Sequence, residues 1–438
     1  MRRRVLIVTS SYAPTMIADM HRARHLAWEL PHYDWDVEIL SPDASYQPPS
    51  CIDSDSMGFF PTGTSVHYVS NIHSSLSRFT PFGSVGWRAL LPMARAGLCL
   101  LKRRPFDIVY ISTANFPLFL LGAIWRRFTG VGFVLDLHDP CYKENQAYPM
   151  WAKPSLKHSM NHRFTRYIES VSIRAAAGLV SVSPVYITTL LQRYEKTPLH
   201  WTVAGKNAVI PFSVLQRDLT EAAKGSSKAA LTGPKKQAAR IVYVGAGGPV
   251  MKRSFSLLCQ TLAYLRAQEP DIINNFRIEL CGTMLGWKEG DPRYLTELAA
   301  MEGVGDLIHE DPRRISYRRS IELLLESNGA LILGVDDEGY MPSKLFTYAL
   351  SGKPLLAVLH RAGPAFAMFQ EMKHLGHALW FDNAGEISVP EGARIAGDFL
   401  QEVNARKNID RSGVLKPFTA PVEACRHADL FNACLERK

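Results

Sequence analysis

Cysteine is scarce and scattered in this sequence. The seven residues, Cys51, Cys99, Cys141, Cys259, Cys281, Cys425 and Cys434, are odd in number and contain no CxxC pair. That argues against a disulfide framework and against a cysteine-based zinc site, and fits the reducing cytosol. A long apolar run is also missing: the longest, Phe116 to Trp125, falls well short of the roughly 20 residues a membrane-spanning helix needs. The opening "MRRRVLIVTSSYAP" is apolar only over Val5–Val8 before it turns polar, too short for the core of a secretory leader, and reads as a first β-strand. Acidic residues are outnumbered, with 41 Asp and Glu against 50 Lys and Arg, and the net charge of +9 favours anionic partners such as nucleotides or a phospholipid surface. No RNA-binding or helix-turn-helix signature accompanies that charge, so nucleic acid is not an expected partner.

What is present is an ordinary globular composition, 47% hydrophobic and 21% charged over 438 residues, enough for two or three domains. Short β-branched runs alternate with helical stretches: "RVLIVTS", "DVEILS", "DIVYIS", "GFVLDL", "GLVSVS" and "AVIPFS", then "RIVYVGAGG", "FRIELCG", "DLIHE", "GALILG" and "PLLAVL". This alternation predicts α/β architecture with parallel, doubly wound sheets. The Lys-, Ala-, Gly- and Ser-biased text over 215–239 separates the two series and reads as a linker. The expected layout is a domain over 1–214, that linker, a second domain over 240–410 and a final helical segment over 411–438.

Ligands of such sheets bind beyond the carboxyl ends of the strands, so residues just after strands carry the functional reading. After the first strand, Tyr12, Pro14, Thr15 and Met16 form a loop, and His21 and Arg22 open the next helix. The loop either approaches a ligand or simply connects. His138 and Asp139 emerge from "GFVLDL", where an imidazole and a carboxylate suit polarising a hydroxyl or stabilising charge, or serve as a surface His and a helix cap. In "VYVGAGGPVMKRSF", Gly245, Gly247 and Gly248 let backbone amides near a diphosphate, with Lys252 and Arg253 following as cations. It is not a GxGxxG fingerprint. Arg314 and Ile315, in "HEDPRRIS", can frame a nucleotide base or form an exposed loop. In "DDEGYMPSKLFTYALSGKPLLAVL", Pro342 and Ser343 predict an abrupt capped helix start, and Gly352 its end. Such a start is a ready phosphate site.

Together these stretches resemble the retaining, nucleotide-sugar-dependent glycosyltransferases of family 4. The resemblance implies the GT-B fold, two facing Rossmann-like domains with a cleft between them, and neither metal nor cofactor. It implies a nucleotide sugar held by the second domain through Gly245, Gly247, Gly248, Lys252, Arg253, Arg314, Ile315, Met341, Ser343, Lys344 and Thr347. The acceptor, a saccharide or lipid-linked sugar, would be held by the first domain near Tyr12, Pro14, Thr15, Met16, His21 and Arg22. His138, Asp139 and Glu338 take the catalytic roles, with Glu338 one residue from the family's acidic position, which is Gly339 here, and Thr347 where the family has a ribose-binding glutamate. The final "VEACRHADLFNACL" resembles the family helix that packs back across the domain junction. A turnover-deficient binding protein and a sugar-nucleotide epimerase are the other readings. Finally, Arg88, Arg95 and Lys102 recur every seven residues beside Trp87, Leu91, Ala94, Leu98 and Leu101. That pattern fits either a helix lying on the cytoplasmic face of an anionic membrane or one packed on the sheet.

Overall fold

A computed structural model describes residues 2–72, 84–142, 156–224, 238–273 and 275–436, which form two compact units, Met1–Pro211 with Ala420–Lys438, and Phe212–Thr419. The first unit is built on β1 (Arg3–Val8), β2 (Trp35–Pro42), β3 (Ser65–Val69), β4 (Ile108–Ser112), β5 (Gly132–Leu137), β6 (Gly178–Ser181) and β7 (Asn207–Val209). They lie in the order β3-β2-β1-β4-β5-β6-β7, and every pairing is parallel. The second unit repeats this plan with β8 (Ala239–Val244), β9 (Phe276–Cys281), β10 (Ile308–Asp311), β11 (Gly329–Leu333), β12 (Leu355–His360), β13 (His377–Asp382) and β14 (Gly385–Glu386). Their order is β10-β9-β8-β11-β12-β13-β14, with only the short β14 antiparallel to its neighbour. Central strands such as β4 (IVYIS) and β11 (GALIL) are buried at every position, as strands covered on both faces by helices must be. Each order reverses direction beside its first strand, at β1/β4 and at β8/β11, and these are the switch points where such sheets bind ligands.

Two glycines let the helices of the first unit lie close. Gly97, on the helix Val85–Arg103, faces Trp125 on the helix Leu120–Thr129, and Gly122 on that second helix faces Phe133 of β5. Pro92 sits inside Val85–Arg103 without breaking it. A proline has no N–H to give the carbonyl four residues back, and that carbonyl, on Arg88, instead accepts from Ile72 N at 3.3 Å. Arg88 is itself buried, with its guanidinium on the carbonyls of Ile72 (3.4 Å) and Tyr46 (3.3 Å). This corrects the membrane-facing stripe: Arg95 and Lys102 are exposed, but Arg88 is a fastener within the unit. Leu101 is likewise buried and Trp87 packs on Phe164, while Leu91 remains 52% exposed. Among the described residues no helix is long and apolar enough to cross a membrane.

The final helix, Ala420–Leu435, belongs to the first unit, where Phe431 meets Trp35 and Tyr110 at centroid distances of 5.4 and 5.3 Å. The stretch read as a linker starts as structure: Gln216–Ala223 is a helix whose Leu219 and Ala222 are buried and whose Asp218 accepts from Tyr317 Oη at 2.6 Å. The remainder of it, 225–237, lies outside the described residues. The boundary between units falls at Pro211/Phe212, ahead of the composition shift, and residues 411–419 stay with the second unit.

Gly97→Ala tests the helix contact. Alanine raises helix propensity by up to about 1 kcal/mol, but its Cβ would stand 2.2 Å from Trp125 Cζ2, and the indole is pinned by its own bond to Ala94 O at 2.9 Å. Overpacking of this kind costs about 1–3 kcal/mol, so the urea midpoint should fall. A midpoint at or above wild type would show that the helices separate freely.

Candidate functional site

At the β1/β4 switch point of the first unit, Ser10 and Ser11 leave β1 and Thr113 leaves β4. All three hydroxyls converge on one buried carboxylate, Asp19, with Ser11 Oγ at 2.9 Å, Thr113 Oγ1 at 3.1 Å and Ser10 Oγ also donating. Asn115 Nδ2 donates to Ser10 Oγ at 2.8 Å, which extends the cluster. Asp19 precedes the helix Met20–Glu29 at the N-cap position, yet its side chain caps no amide there. The sequence reading missed it. The only local signal, an acidic residue ahead of an amphipathic helix, points to a cap rather than to a tie across two strands.

The same edge of the sheet holds His138. Its Nε2 lies 2.6 Å from Asp136 Oδ2 and 3.1 Å from Ser112 Oγ, while Ser112 Oγ donates to Asp136 Oδ2 at 2.8 Å. Since the serine proton is used on Asp136, His138 Nε2 carries the proton and Asp136 accepts it. Asp136 has no solvent exposure, and burial alone would raise its pKa; Arg22 and then His138 outweigh that and hold the carboxyl well below its ordinary range. Arg22 is buried with it, Nε 3.3 Å from Asp136 Oδ2 and Nη1 3.3 Å from Glu423 Oε1, with Nη2 donating to Ile210 O at 2.7 Å. Glu423 is also held low, its burial outweighed by Arg22 and by His25, whose Nδ1 is 3.7 Å from Oε2. His427 Nδ1 donates to Glu423 O at 2.8 Å and its Nε2 accepts from Tyr110 Oη at 2.9 Å. Burial and Arg22 lower His427 to about 4, so it is neutral near pH 7. Asp139 follows His138 and is exposed.

The acceptor loop is clamped. Met16 N donates to Cys51 O at 3.0 Å, Asp53 N to Pro14 O at 2.8 Å, and Thr15 bridges Ile52. Tyr12, Thr15 and Met16 are buried, with the Tyr12 ring against Phe60 at 5.1 Å, while Pro14 and His21 are half-buried. Arg22, read as an acceptor-side residue opening the next helix, does lie in that helix but is the central cation of a buried network.

In the second unit the β8/β11 switch point brings Gly245 and Lys344 together. Gly245 has φ +146°, and a Cβ there would fall 1.8 Å from Lys344 Nζ, so glycine makes room for the ammonium. Nζ also lies over the Tyr243 ring, 5.9 Å from its centroid. Lys344 is open to solvent yet ringed by protein; that desolvation, followed by repulsion from Arg314, lowers it from 10.5 to about 8. Arg314 and Lys252 are exposed, and Ile315 and Ser343 are half-buried. Gly247 N donates to Thr283 O at 2.8 Å, and Gly248 turns at φ +83°.

Two expectations change here, the helix start and the role of Arg253. The helix begins at Leu345, not Ser343, runs six residues to Leu350 and has Lys344 as its N-cap residue with no side-chain cap. Thr347 lies half-buried within it and Met341 is buried just before it. Arg253, read as a diphosphate cation, is turned to carboxylates, with Nε 3.0 Å from Glu386 Oε1 and Nη1 3.3 Å from Asp336 Oδ2, and it lies over Phe381. Glu338 is exposed and accepts from Asn383 Nδ2 at 3.2 Å. The sequence reading missed Tyr348, whose buried Oη accepts from Val244 N at 2.9 Å and so ties the short helix to the end of β8.

A family model described as a glycosyl transferase 4-like domain matches residues 21–198. No protein of curated function matches the sequence. Among solved structures, HepE from Anabaena in complex with UDP and glucose is similar at TM-score 0.61 and 15% identity, covering 98% of this chain and 100% of its own. Sucrose-phosphate synthase from Thermosynechococcus elongatus is similar at TM-score 0.63 and 13% identity over 99% of each chain. A UDP-forming α,α-trehalose-phosphate synthase from Burkholderia vietnamiensis gives 0.60 and 13%, covering 98% of this chain and 100% of its own. HepE has also been solved with UDP-glucose. These likenesses establish the fold, GT-B.

Arg22→Met tests the buried network. It strands Asp136 and Glu423 without their cation, which should cost about 3–5 kcal/mol. In the wild type both folded-state pKa values are depressed, so their stabilisation is present above the unfolded value, about 4, and is lost as pH falls through the folded values. Without Arg22 the remaining burial favours protonation. The variant's deficit in urea unfolding should therefore be larger at pH 8 than at pH 5, and an equal deficit at both would mean the carboxylates are compensated elsewhere.

Proposed function

We propose that this chain, of GT-B fold and with residues 21–198 similar to a glycosyl transferase 4-like domain, moves a hexose from a nucleotide sugar to a saccharide or lipid-linked acceptor with retention of configuration. The observation that carries the reading is the placement of Lys344 at the second switch point, its ammonium in the space that Gly245 leaves and over the Tyr243 ring. Crowding by protein, with Arg314 adding to it, disfavours that charge, and an anion would stabilise it. A diphosphate meets that need, and UDP is the ligand of the similar HepE. As the bond from sugar to phosphate breaks, charge grows on the leaving oxygen, where a fixed cation lowers the barrier, and the proton of the attacking acceptor hydroxyl passes to the departing phosphate. Lys252 and the amide of Gly248 supplement that cation.

His138 serves the sugar side. Asp136 fixes its tautomer, so the ring meets substrate in one orientation with a carboxylate behind it to stabilise positive charge. Asp19, with its three hydroxyl donors, lies along the same edge and suits recognition of acceptor hydroxyls. Glu338 is the exposed acid available to donor-sugar hydroxyls. Attack by the acceptor on the face the nucleotide leaves gives retention. Synthesis of cell-surface polysaccharide or glycolipid is the setting this chemistry fits. Exposed Arg95, Lys102 and Leu91 on one helix supply a surface for an anionic membrane.

Acceptor-dependent release of nucleoside diphosphate from a panel of nucleotide sugars tests the reading. An isomerised donor would identify an epimerase instead, and binding without turnover a carrier. His138→Ala should lower kcat by at least tenfold with little change in donor affinity.

The titration of Lys344 makes a second prediction. Below about pH 8 its ammonium is charged and attracts the diphosphate; above it the charge is lost. UDP affinity measured by calorimetry should therefore weaken as pH rises past 8, approaching tenfold per unit. Lys344→Met should bind about tenfold to a hundredfold more weakly at pH 7, the worth of a hydrogen bond to a charged group, and lose that pH dependence. A wild-type affinity constant from pH 7 to 9.5 would remove Lys344 from the diphosphate site.

A further inference from the structure

The reading above uses His138 and Asp136 but leaves Glu423 unexplained. Glu423 is a buried carboxylate brought by the final helix, about 285 residues further along the chain than His138. We infer that Glu423 is a positioning residue for His138: by holding part of the Arg22 charge, it leaves the Asp136 carboxylate available to the proton on His138 Nε2. The inference rests on His138 acting at the substrate.

The charges make the case. Arg22 stands between two carboxylates at equal distances, 3.3 Å from Asp136 Oδ2 and 3.3 Å from Glu423 Oε1, and all three side chains are essentially without solvent. No water screens this set, so the division of one positive charge between two negative ones is felt at the third partner, the imidazole. The groups facing His138 and its partners come from four elements. From β4 there are Tyr110 and Ser112; from the helix Met20–Glu29, Arg22 and His25; from β5, Asp136; from the final helix, Glu423 and His427. Asp139 adjoins on the same loop.

The two other histidines are spectators. His427 gives Nδ1–H to Glu423 O and accepts at Nε2 from Tyr110, a neutral arrangement. His25 Nε2 lies 3.2 Å from Arg24 Nη2, which can only donate, so its proton is on Nδ1 toward Glu423. Arg22 and the buried Arg24 are positive, Asp136 and Glu423 negative, and Arg426 adds a further cation near Glu423. Removing the Glu423 charge leaves an excess of positive charge, which opposes a further proton on His138. Because Nε2 is already protonated, the titration that shifts is at Nδ1.

The experiment uses the full chain carrying ¹⁵N-histidine, with the His138 signals assigned by their disappearance in His138→Gln, and compares wild type with Glu423→Gln and Glu423→Asp. Glu423→Gln keeps shape and hydrogen bonding but removes the charge. It should lower the midpoint of the His138 titration by at least half a pH unit, shift the alkaline fall of kcat by the same amount and leave donor KM within twofold. Glu423→Asp should restore most of both shifts. A His138 titration that superimposes on wild type in Glu423→Gln, whatever happens to Tm, overturns the inference. The functional reading fails separately: if the titration shifts while His138→Gln leaves sugar transfer intact, Glu423 still tunes His138 and it is the catalytic role of His138 that falls.

Discussion

One buried guanidinium organises the carboxyl edge of the first sheet. A charge without solvent is tolerated only where partners surround it, and Arg22 finds them on β5, on the final helix and at the carbonyl just after β7. Each partner is thereby fixed relative to the others. Asp136 cannot move without leaving Arg22 unmatched, and His138 cannot turn without leaving Asp136. The tautomer of the histidine is thus decided by Asp136, which Arg22 holds in place.

The second unit treats charge in the opposite way. Arg253 and Arg240 are matched to carboxylates, whereas Lys344 is set beside Arg314, which depresses it further. Gly245, by lacking a side chain, leaves room for the Lys344 ammonium at the end of β8.

Most of the architecture was legible because its strands are short, β-branched and bounded by turn residues. β3 and β13 were passed over for a physical reason: SVHYV and HALWFD mix polar and apolar residues at half-buried positions and carry no continuous apolar run. The positions of His138 and Gly245 at strand ends were legible because strand ends announce themselves. Asp19 and Glu423 could not, since their meaning lies in Thr113 and Arg22, partners 94 and 401 residues away. Arg253 illustrates the converse. A cation after glycines suits a phosphate, and only the fold reveals that Asp336 and Glu386 reach it first. The heptad of Arg88, Arg95 and Lys102 misled for a related reason, as Pro92 opens a carbonyl that draws residue 72 against the helix and covers Arg88.

The first unit is interrupted in sequence: the chain leaves it at Pro211 and returns only at Ala420. On the ribosome, therefore, the second unit emerges whole before the first is complete. Until the last turns of polypeptide appear, Trp35 and Tyr110 lack the ring of Phe431, and Arg22 lacks one of its two counter-ions. Completion of the first unit is thus deferred until Ala420–Leu435 has been made, and a chain cut at residue 419 would carry a finished second unit and a first unit with its apolar face uncovered and its buried charges unbalanced.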